Sequence, residues 1–313
     1  MNSGSVVKTL RVGVRLTGSV LVILLGGFGT AQAQQLEPRS YAPAPIGLNF
    51  IGVGTTYSSG GVVTDPSLPI ENVRAQVYVV PNYCGRTFGL FGRMGVVTLA
   101  TPFGWGHVEG DVQEVSKSVD RSGFLDPVLR FGVGLLGCPA LTPQEFVRRK
   151  PGTTMGASIC VTAPLGQYDP SKLINLGTNR WALKPEVGVS QPLGAWVFEL
   201  YGGVWLFETN DDFYGGQVRE QDPLATLQTH VVYNFGFRRP MWAAADFTYY
   251  NGGATTVNGE AKDDRQSNTR GGLTLSIDCF KNQSVKLTWA QGVSTRVGSS
   301  FQTFGVGWQW RWF

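Results

Sequence analysis

Charge is scarce in this chain: Asp, Glu, Lys and Arg make up 15% of its 313 residues, against roughly a quarter in soluble domains. A surface that must hold itself in water therefore has little to work with. Long apolar runs are also missing. The longest, Val20 to Leu25, falls far short of the roughly 20 residues that a spanning helix needs, which excludes a helical membrane protein. Histidine occurs only at His107 and His230, and the cysteines stand apart at Cys84, Cys138, Cys160 and Cys279. No His/Cys cluster has the spacing of a zinc site, so neither a metal nor any other cofactor is expected. No long block of one charge sign exists, which removes nucleic acid from the expected partners.

What remains is rich in glycine (42 residues) and in aromatics (12%). Backbone groups in lipid must all be paired, and apart from helices only closed barrels achieve that. The N-terminus supplies the address. Lys8, Arg11 and Arg15 precede the apolar run, and Ala31-Gln32-Ala33 follows it, the order of a secretory signal peptide. Residues 1–33 are read as that signal. Removing its three cations leaves 23 basic against 22 acidic residues, so the basic character of the full chain belongs to targeting.

The mature chain reads as short segments of period-two alternation. In Phe301–Phe313, the apolar Phe304, Val306, Trp308, Trp310 and Trp312 alternate with Thr303, Gly305, Gly307, Gln309 and Arg311. Successive strand side chains face opposite ways, so one face carries three indoles, a surface suited to lipid and an aromatic girdle. Strands are expected at 47–57, 72–84, 88–101, 122–137, 153–163, 180–191, 195–208, 224–238, 240–250, 268–280, 283–296 and 301–313. That is an all-β, single-chain antiparallel transmembrane barrel of twelve strands over 47–313, an even number as bacterial barrels have.

Short links at 85–87, 192–194, Arg239 and 281–282 alternate with long ones at 58–71, 102–121, 164–179, 209–223 and 251–267. This is the asymmetry of periplasmic turns and outer loops. A soluble β-sandwich explains the strands but neither the loop alternation nor the outward tryptophans. Two connections break the rule: the long 138–152, with a short helix near Gln144–Arg149, and the tight 297–300. The Pro-rich segment 34–46 reads as a solvated linker in preference to a plug. Cys84 and Cys138 flank neighbouring strands, so a bridge between them is conceivable in an oxidising compartment. The chain ends on Phe313, as clients of the barrel-assembly machinery typically end on an aromatic.

The polar phase of the strands sends Arg130, Lys184, Glu186, Glu199, His230, Asp246, Arg270, Asp278, Lys286 and Arg311 into the lumen as candidate lining residues. Both signs are present, so paired charges filling a narrow barrel are the plain expectation. A polar conduit that filters permeants is the functional one. No catalytic residue is expected. A lipid hydrolase needs a nucleophile held by a histidine, and His230 lies on the polar face, away from lipid. Asp211-Asp212 and Asp263-Asp264 in outer loops offer carboxylates to calcium or to the cations of lipopolysaccharide, although such pairs are more often solvated.

Several stretches resemble the MetA-pathway of phenol degradation family, whose members are regarded as outer-membrane transporters. They are Ala44–Asn49, Asp126–Arg130, Thr162–Pro170, Leu176–Trp181, Lys184–Glu186, Asn210–Phe213, Gln221–Leu224 and Tyr250–Gly253. The resemblance spans nearly the whole mature chain and implies a barrel and transport, with hydrophobic or aromatic substrates suggested by the family's name. The expected protein is thus a Gram-negative outer-membrane channel for a small-molecule permeant. Its surroundings are outer-membrane lipid and lipopolysaccharide, and the barrel-assembly machinery inserts it. A structural or adhesion barrel with binding loops is the alternative, and a lipid hydrolase a more distant one.

Overall fold

The computed structural model describes residues 37–63, 70–112, 115–236 and 239–313; the signal peptide expected at 1–33 lies outside them. In chain order come β1 (Asn49–Val63), β2 (Ile70–Val80), β3 (Asn82–Leu90), β4 (Arg93–Ala100), β5 (Phe103–Val112), β6 (Val115–Phe124) and β7 (Val128–Leu136). A short helix α1 (Pro143–Val147) follows, then β8 (Thr154–Thr162), β9 (Ala182–Leu193), β10 (Trp196–Phe207), β11 (Asn210–Phe213) and β12 (Gln217–Gln221). The chain ends with β13 (Leu224–Phe235), β14 (Met241–Gly252), β15 (Thr255–Val257), β16 (Glu260–Ala261), β17 (Gln266–Phe280), β18 (Gln283–Ser294) and β19 (Gly298–Trp312).

The wall is a closed antiparallel barrel. β1 pairs with β19 along its whole length, from Asn49↔Trp312 to Val63↔Gly298, and closure leaves no edge there to satisfy. Each of the pairs β2–β3, β5–β4 and β6–β7 forms one stave, giving twelve around the ring. Alternation puts the greasy face outside. In β10, Trp196, Phe198, Leu200, Val204 and Leu206 are exposed while Glu199, Tyr201 and Trp205 are buried. The polar side chains thus sit inside and the apolar ones outside, the inverse of a soluble domain.

Three of the composite staves break at proline. Pro81 separates β2 from β3, Pro102 separates β4 from β5, and Pro127 separates β6 from β7. Proline donates no ladder hydrogen bond, and the three breaks lie side by side, since Tyr83 pairs with Ala100 and Ala100 with Val128. The result is a crease across the wall. Beyond it, β2, β5 and β6 continue outward as a flap, and β6 pairs on one side only with β5. On its other side, among the described residues, no strand joins it, because β8 ends opposite Val128 at Thr162.

The inner face changes character there. Under the flap, Val73, Ala75, Val77, Val108, Ile174 and Phe301 form an apolar cluster. At the outer mouth β11, β12, β15 and β16 form a small separate sheet.

Several expectations are corrected. The turn placed at 85–87 falls at Phe91-Gly92, whose φ values of 47° and 75° suit the twist of a two-residue hairpin. Gly85 is instead a close-packing position: a Cβ there would lie 2.3 Å from Phe50 and 2.6 Å from the Val97 carbonyl. The outer loop placed at 102–121 is mostly strand, β5 and β6. All four cysteines are free, so the conceivable Cys84–Cys138 bridge is not formed. The long periplasmic connection does carry its helix, α1, started by a capping box between Thr142 and Glu145.

Candidate functional site

Neighbouring staves β8, β9, β10, β13, β14 and β17 present their polar residues to one interior. Lys184 and Glu186, two apart on β9 and so on one face, form an ion pair of 2.5 Å. Gln228 donates to the same Glu186 oxygen, Oε2, at 3.2 Å. Glu199 accepts from Ser190 at 3.0 Å. His230 and Asp246, cross-strand partners on β13 and β14, meet at 2.6 Å with both side chains fully buried, and Thr274 donates to the other Asp246 oxygen at 2.7 Å. Buried charge is tolerable only when it is paired and hydrogen-bonded, a condition met by Lys184 with Glu186 and by Asp246 between His230 and Thr274.

The remaining predicted residues are more dispersed. Arg311 and Asp278 pair at 2.9 Å near the short-turn end, each about 30% exposed. Arg270 donates to Thr303 at 3.3 Å. Lys286 is exposed, with its ammonium 5.9 Å from the centre of the Trp242 ring. Arg130 lies 5.1 Å over the ring of Tyr41.

Tyr41 belongs to the segment read as a linker, and that expectation is overturned. Residues 37–46 enter the barrel. Tyr41 is 5% exposed; its hydroxyl donates to Glu186 at 3.0 Å and lies 2.8 Å from Ser158. Its ring meets Tyr201 edge-on at 5.0 Å. The Arg39 amide donates to Glu199 at 2.7 Å and its guanidinium to Asn234 at 2.8 Å. The physical reason is complementarity: a lumen rich in carboxylates and hydroxyls offers a polar peptide better partners than it finds as a loose tether. Tyr41, Arg39 and Tyr201 are the interior residues that sequence reasoning missed. The sequence signal available was a lone tyrosine among prolines.

Tyr201 OH, Gln228 Oε1, His230 Nε2, Thr248 Oγ1 and Tyr250 OH are buried with no hydrogen-bond partner among the described residues. Asp246 orients the histidine, whose ring centre lies 5.0 Å from that of Tyr201. His107, expected in a loop, lies in β5 and pairs with Asp120 at 2.7 Å.

A closed twelve-stave wall, an apolar outer belt and a polar interior define an outer-membrane β-barrel. Residues 58–310 match the model of the MetA-pathway of phenol degradation family, and the chain belongs to that family. Among solved structures it is similar to an outer membrane channel from Pseudomonas putida F1, with 21% identity, a TM-score of 0.76, and coverage of 89% of this chain and 100% of that one. That is a likeness of fold. More remote matches are the NanC porin (9% identity, TM-score 0.46, covering 83% and 98%) and the translocator domain of the autotransporter NalP from Neisseria meningitidis (10%, 0.48, covering 90% and 95%). No curated protein sequence matches the chain.

Proposed function

We propose that this protein is a channel of the Gram-negative outer membrane for small apolar or aromatic compounds, exported by its signal peptide and inserted by the barrel-assembly machinery. The observation that carries the reading is the contrast between two exits. Along the axis, Arg39 and Tyr41 of the N-terminal segment stand in the polar interior, held by Glu186, Glu199 and Ser158. Sideways, the crease at Pro81, Pro102 and Pro127 sets off a flap whose inner face is apolar and whose last strand, β6, has a strand partner on one side only among the described residues. An apolar solute gains nothing from the polar axis but finds matching surface under the flap, and from there the bilayer. The lumen charges then serve to hold the N-terminal segment and to exclude bulk polar solutes.

The test lies in the flap. Arg121 on β6 donates to the Ile174 carbonyl at 2.8 Å, so the two positions join the last strand of the flap to the apolar cluster beneath it. With the native cysteines replaced by serine, Arg121→Cys and Ile174→Cys are joined by a short bis-maleimide. Cells with an intact lipopolysaccharide leaflet should take up labelled toluene faster when they carry the protein, and at the control rate once the tether is set. Ion conductance of the tethered barrel in planar bilayers should not change. Uptake indifferent to the protein would sink the proposal.

A further inference from the structure

At the outer mouth two arginines stand together, and among the described residues neither forms an ion pair. Arg180, just before β9, is 6% exposed. One guanidinium nitrogen donates to Gln221, while the other, Nη1, is buried with no partner. Gln221 and Arg219 are two apart on β12 and so share a face, which brings the Arg219 guanidinium beside that of Arg180. Arg219 makes no ion pair among the described residues and rests 5.2 Å over Phe213, as Arg180 rests 4.6 Å over Phe207.

Asp126 acts on Arg180 and Asp264 on Arg219 through space, for both carboxylates accept their hydrogen bonds from other groups. Asp126 accepts from the Gly166 amide and from the amide and hydroxyl of Thr178. Asp264 accepts from the amide and hydroxyl of Thr255. Burial, and then the like charge of Arg219, push the Arg180 guanidinium down to about 9; burial also lowers Arg219. Two desolvated cations side by side cost free energy that only an anion recovers.

Below them the wall is aromatic. Phe207 is stacked with Trp205 at 6.4 Å and 11°. Trp205 in turn carries the Lys184 ammonium at 5.7 Å. Cation and ring therefore alternate from the mouth down to the ion pair of the lumen.

We propose that Arg180 and Arg219 form a receptor site for the carboxylate of a small aromatic acid, whose ring lies against Phe207 and Trp205. Paired guanidiniums match the two oxygens of a carboxylate. The use of the site in uptake rests on the channel reading, but binding is measurable without transport.

Calorimetric titration of the purified full barrel in detergent uses benzoate, benzyl alcohol and acetate as probes. Benzoate should bind at least about tenfold more tightly than either of the others, and Arg219→Gln should remove about that factor while leaving benzyl alcohol unchanged. Arg219 is the more open of the pair; Arg180→Gln serves as the second variant, with heat-modifiable gel mobility reporting an intact barrel. Equal binding of benzoate and benzyl alcohol, or an Arg219→Gln barrel with undiminished benzoate affinity, overturns the site. Acetate binding as tightly as benzoate overturns its aromatic part. Toluene uptake separates the two proposals: if it persists while benzoate fails to bind, only the receptor site falls.

Discussion

At the residue scale, the interior is decided by which small residues leave room. Tyr41 reaches Glu186 because β8 and β9 carry glycine where its ring lies: a Cβ at Gly188 would sit 2.4 Å from that ring, and one at Gly156 2.5 Å. Gly188→Val should therefore expel Tyr41. The loss comprises hydrogen bonds worth about 1 kcal/mol each and ring burial worth about 2–3 kcal/mol, enough to shift the segment from mostly bound to mostly free. Single-channel conductance should rise severalfold, and unchanged conductance would show that the segment is held elsewhere. Period-two alternation puts Lys184, Glu186 and Ser190 on one face of β9, and all three are buried. The seat of Tyr41 was not legible in the sequence, because glycine in a strand reads as weakness or a turn, and only a partner distant in sequence shows that it is a socket.

At the scale of elements, the sequence was read well wherever a strand faces lipid and poorly wherever one leaves it. The stave through β9 or β10 needs an apolar face, so it announces itself. β5 and β6 rise above the crease, where His107, Glu109, Asp111, Lys117 and Asp120 meet water, and a strand whose outer face is polar looks like a loop. The crease was hidden for a similar reason: each proline read alone is punctuation, and only the register sets Pro81, Pro102 and Pro127 beside one another. Asp126 fastens that crease to the outer loop through three donors on Gly166 and Thr178 at 2.7–2.9 Å, and it is 3% exposed. Replacing it by alanine leaves buried donors unmet, at roughly 1–3 kcal/mol for each. Asp126→Ala should thus free residues 163–181 while β7 and β8 stay paired. Added protease should cut that loop in intact cells expressing the variant and spare it in the wild type; equal resistance of the two would remove Asp126 from this role.

For the whole molecule, the deciding question is which side of the wall meets the low-dielectric phase. A soluble sandwich would bury its apolar residues and tolerate charge on the exposed ones. Here the exposed positions are Val187, Phe198, Leu200, Leu227 and Leu273, spread over neighbouring staves, and the buried ones on the same strands are Glu186, Glu199 and His230. Val187, in the middle of β9 and 57% exposed, separates the two cases. As a surface residue in water, Val187→Arg is neutral within about 0.5 kcal/mol. In a bilayer the same arginine lies near the midplane and costs about 2–4 kcal/mol. Leu193, at the short-turn end of β9 and 59% exposed, provides the control, since near the interface the penalty falls to about 0–1 kcal/mol. Reversible denaturant unfolding from lipid vesicles should therefore rank wild type and Leu193→Arg close together and Val187→Arg well below them. Were all three equally stable, the apolar belt would not face lipid, and the inverted packing that defines this barrel would need another cause.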